Sequence, residues 1–533
     1  MSTNLDGAIA AWKNLLGPGQ VLLGEAVAQA YGHDASGVSR QVPAALRIVN
    51  ASLLPQVMRI AQHCRVSVYP LSTGRNWGYG SAMPAQDNCV IVDLGGLDRI
   101  LHFDAELGVV TVEPGVTQGM LASFLDEGGH DFLVPVTGAG PSCSLLGNAL
   151  ERGYGVTPIA DHFAAVTDIE AVLADGSLYR SALHEAGNPD LARLFKWGIG
   201  PYLNGLFTQS GFGIVTQMTI LLARRPSCVK VCLFSLKEDS LLEPAVARIR
   251  RLLSTLPGTL GAINLMNRHR VLAMSIPYPE QQLGSDGLIP EKVIESLGRQ
   301  YQIYPWTGFA TLYGSDRMIN AAKLEVRDAL RGVASRVLFL SPGQARGLAK
   351  ATRWLPGSRG RRLATTAATL AKSLDLVAGR PNETALPLAY WRNPTPFSAQ
   401  QRNPSRDGCG LIWYAPLVPM RPVGVRSFVE MVKTVAPRHK MEPLITLTTL
   451  SDKLFDSTVP LIFNRQDKAA LHDAKACYQD LLEQGSALGS YPYRLGVDAM
   501  QSYAARHPLS GALSSRLRQA VDEHDIVSPA RYR

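Results

Sequence analysis

The chain is 533 residues long, 46% hydrophobic and 18% charged, the composition of a folded protein with two or more domains and a core that needs no disulfides. This excludes a disordered chain, a collagen and a disulfide-stapled scaffold, and the lack of any uncharged apolar run of about 18 residues excludes a helical membrane channel. Lys and Arg number 53 against 44 Asp and Glu, and this charge of +9 is dispersed apart from the run Arg359, Arg361 and Arg362, so it suits an anionic cofactor or acidic redox partner better than nucleic acid or a membrane.

The N-terminus places Leu5, Ile9, Trp12, Leu15 and Leu16 at helical spacing and has no basic segment leading into an apolar one, so it reads as a helix of the mature protein. From 42 to 226 short apolar runs alternate with glycine: strands are expected at 46–49, 66–69, 90–94 and 109–112, with helices at 57–64 and 116–125 between them. Residues 227–484 have longer helices, expected at 244–254, 323–331 and 467–484, and a loop at 393–410. Residues 485–533 return to shorter elements and end in SPARYR. Cys64, Cys89, Cys143, Cys228, Cys232, Cys409 and Cys477 are odd in number and form no CxxC, which predicts reduced, mostly buried thiols and a cytoplasmic location.

Four glycine-rich clusters lie in the first half: PLSTGRNWGYG at 70–80, EPGV at 113–116, the long stretch 135–155 containing GNALERGYG, and GFGIVT at 211–216. Glycine lets backbone N–H groups approach phosphate oxygens, but each cluster alone is also an ordinary set of tight turns. The GxGxxG and Walker spacings are both absent, which argues against a Rossmann site and a P-loop. In this order, the segments LSTGRNWGYG, GNALERGYG…TP…DH and GPYLNGLFTQSGFGIVT resemble the vanillyl-alcohol oxidase and p-cresol methylhydroxylase family of FAD-linked oxidoreductases.

The resemblance implies an α+β fold with a two-part FAD-binding domain and an inserted α+β cap domain. The FAD domain would occupy 1–226 (core 42–226), the cap 227–484, and 485–533 would return to the FAD domain. It implies that Ser72, Thr73, Gly74, Arg75 and Asn76 hold the FAD pyrophosphate, and that Gly138, Ser142, Gly147, Asn148, Gly213, Ile214 and Val215 line the rest of the cofactor. His162 matches a position near the flavin domain and is more often structural.

The family oxidises para-substituted phenols by hydride transfer from the benzylic carbon to flavin N5, through a quinone methide that is then hydrated or oxidised further. Two tyrosines and an arginine bind the phenol oxygen, and Tyr79, Tyr493 and Arg494 match them here. A phenol of pKa about 10 needs a shift of about 3 units, or about 4 kcal/mol, to ionise near pH 7. A charged hydrogen bond of about 1.5–3 kcal/mol with two tyrosyl donors supplies that. Glu151 stands where family oxidases carry an aspartate and is the candidate acid/base, and Arg392 in AYWR is the candidate for stabilising charge on reduced flavin.

Two departures bear on the chemistry. The family often tethers FAD through a histidine or tyrosine just before a WFAP-like turn, but Asp407–Pro416 reads DGCGLIWYAP, so non-covalent FAD is favoured over a link through Tyr414 or Cys409. Asp456-Ser457 replaces a histidine pair found in some members, which bears on which phenol is accepted. The alternatives are a same-fold enzyme acting on a non-phenolic alcohol or hydroxy acid, and a flavin-fold binding module without turnover. The expected electron acceptor is O₂ or a small redox protein such as a c-type cytochrome; a homo-oligomer, a dimer by family analogy, and no metal complete the reading.

Overall fold

In the computed structural model, which describes residues 4–393, 402–506 and 508–532, the N-terminal apolar spacing becomes the helix Leu5–Leu16. Its Trp12 is fully buried and the indole Nε1 donates to Val57 O at 3.1 Å. The described chain divides into two units, one made of 4–155, 161–224 and 494–532, the other of 156–160 and 225–493. The chain crosses between them at 224/225 and 493/494.

The first unit carries a four-stranded sheet in the order Val21–Leu23, Ala44–Arg47, Val90–Asp93, Val68–Leu71, with the last three strands parallel. The helix Leu54–Cys64 buries Leu54, Val57, Met58 and Ala61 in the same apolar cluster as Leu46, Val68, Val90 and Val92. It ends where Arg65 turns left-handed at φ 53°. The expected strand 66–69 lies two residues later, at Val68–Leu71, and the reason is tertiary. Val68 N–H donates to Ile526 O and Val68 O accepts from Ser528 N–H, both at 2.8 Å, so the C-terminal tail extends the sheet edge.

An antiparallel sheet follows, ordered Ile100–Asp104, Val109–Val112, Ile214–Leu221, Val166–Val172, Leu178–Arg180. The helix expected at 116–125 is Gln118–Glu127, capped by Thr117 Oγ1 at 3.2 Å from Met120 N.

The second unit is built on a nine-stranded antiparallel sheet. Its path runs Ser335–Leu340, Cys228–Leu236, Trp306–Gly314, Leu260–Asn267, Thr446–Thr449, Leu454–Asn464, Pro416–Pro419, Tyr491–Pro492, with Cys409–Tyr414 paired to Leu454–Asn464. The helices Leu242–Thr255, Asp316–Leu330 and Lys468–Ala487 cover the three expected ones except for Arg331 and Asp467, which cap their ends, and they pack on this sheet. Two long helices have no counterpart in the sequence reading, Gly357–Val377, which carries the basic run, and Pro422–Arg438. Of the expected loop at 393–410, residues 394–401 lie outside the described residues. Among the described residues no helix is long and apolar enough to cross a membrane, and no group of three or more His, Cys, Asp or Glu is placed to hold a metal.

Candidate functional site

The turn 72–76 leaves the strand Val68–Leu71, and Gly74 takes φ +64°, which a side chain would strain. Its neighbours are backbone and small groups brought from three of the four glycine clusters and their surroundings. A Cβ on Gly147 would strike Ser72 Oγ, one on Gly95 would stand 3.0 Å from Ser72 O, and one on Gly115 would strike Gly95 O. Among the described residues the N–H groups of Thr73, Gly74 and Asn76 have no acceptor. Such a loop can hold an anion such as a pyrophosphate.

Ser144 caps the following short helix, accepting from Gly147 N at 2.9 Å and donating to Pro114 O at 2.7 Å. Asn148 Oδ1 then meets His162 Nδ1 at 2.5 Å. Burial pushes the His162 pKa down to about 4, so the ring is neutral at physiological pH. With its Nδ1 proton spent on Asn148, the buried Nε2 is an acceptor without a partner among the described residues. Gln118, Pro135, Ser144, Asn148, His162 and Met218 line one small cavity. Both features, a loop of open donors and a buried cavity with an open acceptor, fit a dinucleotide cofactor.

The other expected cofactor residues fall into two groups. Gly138 and Ser142 are exposed in the 135–144 segment. Gly213, Ile214 and Val215 open the strand Ile214–Leu221, where Ile214 lies in the apolar core and a Cβ on Gly213 would stand 2.8 Å from Val172 O. The side chains of Ile214 and Val215 are both buried.

Tyr79 and Arg494 are 415 positions apart in sequence yet stack in the first unit, with the guanidinium carbon 3.8 Å from the ring centroid. Arg494 Nη2 also donates to Asn76 Oδ1, which ties this pair to the 72–76 turn. A Cβ on Gly80 would strike Val497, so the two segments press together over several residues. Tyr493 belongs to the second unit, where its N–H donates to Ala415 O at 3.3 Å.

Glu151 follows the helix Leu145–Leu150 and forms an ion pair with Arg531 of the C-terminal tail. Burial opposes its charge, but Arg531, Arg494 and Arg152 outweigh burial and hold the carboxyl below the ordinary range. Tyr69 and Tyr532 complete this cluster; burial raises the pKa of both, that of Tyr532 to about 12, so both are protonated donors at neutral pH.

In the second unit Arg392 lies over the Tyr278 ring at 5.0 Å and donates to Lys440 O at 3.2 Å. Tyr414 points among the helices, its ring 6.5 Å from Phe428 and 6.4 Å from Tyr478. Cys409 is fully buried beside Asn393, and burial pushes its thiol up to about 12. Asp456 and Ser457 are buried on the long strand Leu454–Asn464.

Residues 43–182 match the family model described as an FAD binding domain. Over 530 residues, 99% of this chain and 97% of the relative, the chain is 33% identical to the 1'-carboxy-chondrochloren decarboxylase of Chondromyces crocatus. It is 25% identical over 534 residues, 98% of this chain and 94% of the relative, to the flavoprotein subunit of the hydroxylating 4-cresol dehydrogenase of Pseudomonas putida. Among solved structures, p-cresol methylhydroxylase with substrate bound superposes with a TM-score of 0.86 at 24% identity, covering 99% of this chain and 96% of that one. The 4-ethylphenol oxidase from Gulosibacter chungangensis gives 0.87 at 21% identity with the same coverage.

The chain belongs to the vanillyl-alcohol oxidase and p-cresol methylhydroxylase family of FAD-binding oxidoreductases.

For a member of this family, three residues of the cluster escaped the sequence reading: Tyr69, Arg531 and Tyr532. Arg531 and Tyr532 sit in SPARYR, a string with no motif, and the pairing of Val527 with Val68 carries them to Glu151. The one available signal was the charged and aromatic run Arg531-Tyr532, and that is too common to single out. The tether question also changes form: Tyr414 and Cys409 are both packed into the second unit's interior, one on helix side chains and the other against Asn393.

Proposed function

We propose that this family member uses non-covalently held FAD to oxidise a para-substituted phenol at its benzylic carbon. The observation that carries this reading is Arg494 stacked on Tyr79 and bonded to Asn76, a permanent cation and a phenolic donor beside the cofactor loop. Bound FAD would take the benzylic hydrogen as hydride. Ser72, Thr73, Gly74, Arg75 and Asn76 would hold its pyrophosphate, and Gly147 and Asn148 would line the neighbouring stretch.

Arg494, helped by Tyr79 and Tyr493, would stabilise the phenolate, so that the ring pushes electrons towards the side chain as hydride leaves. Glu151 is held ionised by its arginines, so its part is that of a weak base or a water-orienting acceptor rather than an acid. Arg392 is engaged by Tyr278 and Lys440 and is assigned no step. The terminal electron acceptor would be O₂ or a small redox protein such as a c-type cytochrome.

A second reading is favoured by the whole-length likeness to a decarboxylase. If the carbon next to the benzylic one carries a carboxylate, the quinone methide can lose CO₂. The bond to the carboxylate breaks, its electron pair forms the side-chain double bond, and the ring returns to phenolate. This route needs no attacking water, which agrees with a Glu151 whose basicity is reduced.

The test is anaerobic. A panel of 4-alkylphenols, with and without a side-chain carboxylate, should bleach the oxidised flavin within the mixing experiment, and product analysis should separate alcohol, alkene and CO₂. Bleaching only by a hydroxy acid or an aliphatic alcohol would overturn the phenol reading. Acid precipitation of the yellow protein should leave all of the flavin in the supernatant; flavin retained on the pellet would overturn the non-covalent assignment.

A further inference from the structure

The chain has nine more Lys and Arg than Asp and Glu, and residues 329–374 hold nine Lys or Arg and no Asp or Glu. The charge that reads as dispersed is therefore the excess of one stretch, and the rest of the chain is balanced. Like charges gathered on one surface repel, so a fold that gains nothing else from them is less stable for it. The second unit makes this stretch into the edge strand Ser335–Leu340 and a helical hairpin, Pro342–Thr352 and Gly357–Val377.

The hairpin is anchored on its inner side. Ser341 and Gln344 close a capping box, and Lys230 Nζ donates to Gln344 Oε1 at 3.2 Å. Arg346 of the first helix pairs with Asp375 of the second. Ala345, Ala371, Leu374 and Val377 form one apolar cluster with Val231 of the sheet. The inner face is thus complete without the residues of the turn. There Trp354 is 89% exposed, and Leu348, Leu355 and Leu363 of the same hairpin are exposed as well. Exposed apolar groups gathered on one element mark a surface that something covers. Lys350, Arg353, Arg361 and Lys372 are also exposed, and among the described residues they form no ion pair.

We propose that this hairpin docks on an anionic lipid bilayer, with Trp354 and Leu355 entering the headgroup layer and the bases of both helices over the lipid anions. Among the described residues no helix can cross a membrane, which bears on spanning and not on surface binding. Trp suits the boundary between water and hydrocarbon, where its ring is apolar and its N–H stays wet. The stems of Lys and Arg lie along such a boundary while their heads reach the anions. Two features favour a lipid surface over an acidic protein. Register in a protein interface is fixed by a pattern of complementary charges, and this stretch carries one sign only. A Trp that anchors a protein interface sits within a ring of close-packed neighbours, whereas Trp354 projects from a turn between two helices. The proposal stands apart from the substrate reading above.

The test is co-sedimentation of the holoenzyme with vesicles. Vesicles of about 30% phosphatidylserine in phosphatidylcholine should bind it at least about 10-fold more tightly than phosphatidylcholine alone, and raising salt from about 0.1 M to about 0.5 M should release most of it. One base near an anionic surface is worth about fivefold, so Lys350→Gln, Arg353→Gln and Arg361→Gln together should weaken binding by about 100-fold. Trp354→Ser should weaken it by about 10-fold. Trp354→Phe should keep most of the binding and lose the fluorescence that bromine-labelled lipid quenches in the wild type. These side chains are exposed, so flavin content, melting temperature and turnover in free solution should stay at wild-type values. No binding to phosphatidylserine vesicles, equal binding to both vesicles, or full binding by the triple variant would overturn the proposal. Quenching that survives in Trp354→Phe would place the contact elsewhere and overturn it. Binding to soluble poly-glutamate through the same three bases, without vesicle binding, would assign the surface to an acidic protein and overturn it as well.

Discussion

Arg494→Ala is expected to lower kcat/KM for flavin reduction by a 4-alkylphenol by about 10²–10³-fold, the effect of removing one charged stabiliser of a developing oxyanion. The guanidinium sits 3.8 Å from the Tyr79 ring centroid and is bonded to Asn76, so the change also loosens the cofactor turn. Flavin content must therefore be measured beside the rate. The distinguishing readout is the acidity of the phenol. A ring substituent that lowers the phenol pKa supplies part of what the arginine supplied, so the acidic phenol should lose less rate in the variant than 4-propylphenol does. Arg494→Lys should recover part of the rate, because the charge returns without the planar fork. Equal losses for acidic and ordinary phenols would mean that Arg494 acts through packing, and the phenolate role would be withdrawn.

Glu151→Gln is expected to destabilise the protein by about 3–5 kcal/mol, since it leaves Arg531 buried without its counter-ion. The pair has side chains only 18% and 10% exposed, so solvent screens it little. In a cycle with Arg531→Gln, the double variant should lose less than the sum of the singles, with a coupling of about 0.5–3 kcal/mol read from urea unfolding. The pH dependence follows from the lowered pKa of Glu151. Its stabilisation is fully present above the unfolded carboxylate value of about 4.3 and is lost as pH falls through the lower folded value. The gap between wild type and Glu151→Gln should thus be constant through neutral pH and close in acid. A gap that widens on acidification would mean that Glu151 is protonated in the fold.

The first unit was legible where a signal is local. Short apolar runs at 90–93 and 109–112 became strands at those positions, and Gly147 of the 135–155 stretch packs against Ser72 of the 70–80 stretch. Glycine is legible because its reason for being there, close backbone approach, is a property of the residue itself. Arg392 shows the limit. Its residue type and its place beside Trp391 suited a flavin contact, but the guanidinium found Tyr278 and Lys440, partners 114 and 48 positions away. Arg531 shows the converse, a residue with no motif that becomes the counter-ion of Glu151.

The ordered glycine-rich segments carried the resemblance to the family and, through it, the α+β class, because a motif is a matter of residue identity and short-range order. Which charges are paired depended on the fold alone. The tail pairs with Val68 and so delivers Arg531 to Glu151. Electrostatic partners are chosen by distance in space, and a sequence contains that distance only through the packing of hundreds of residues.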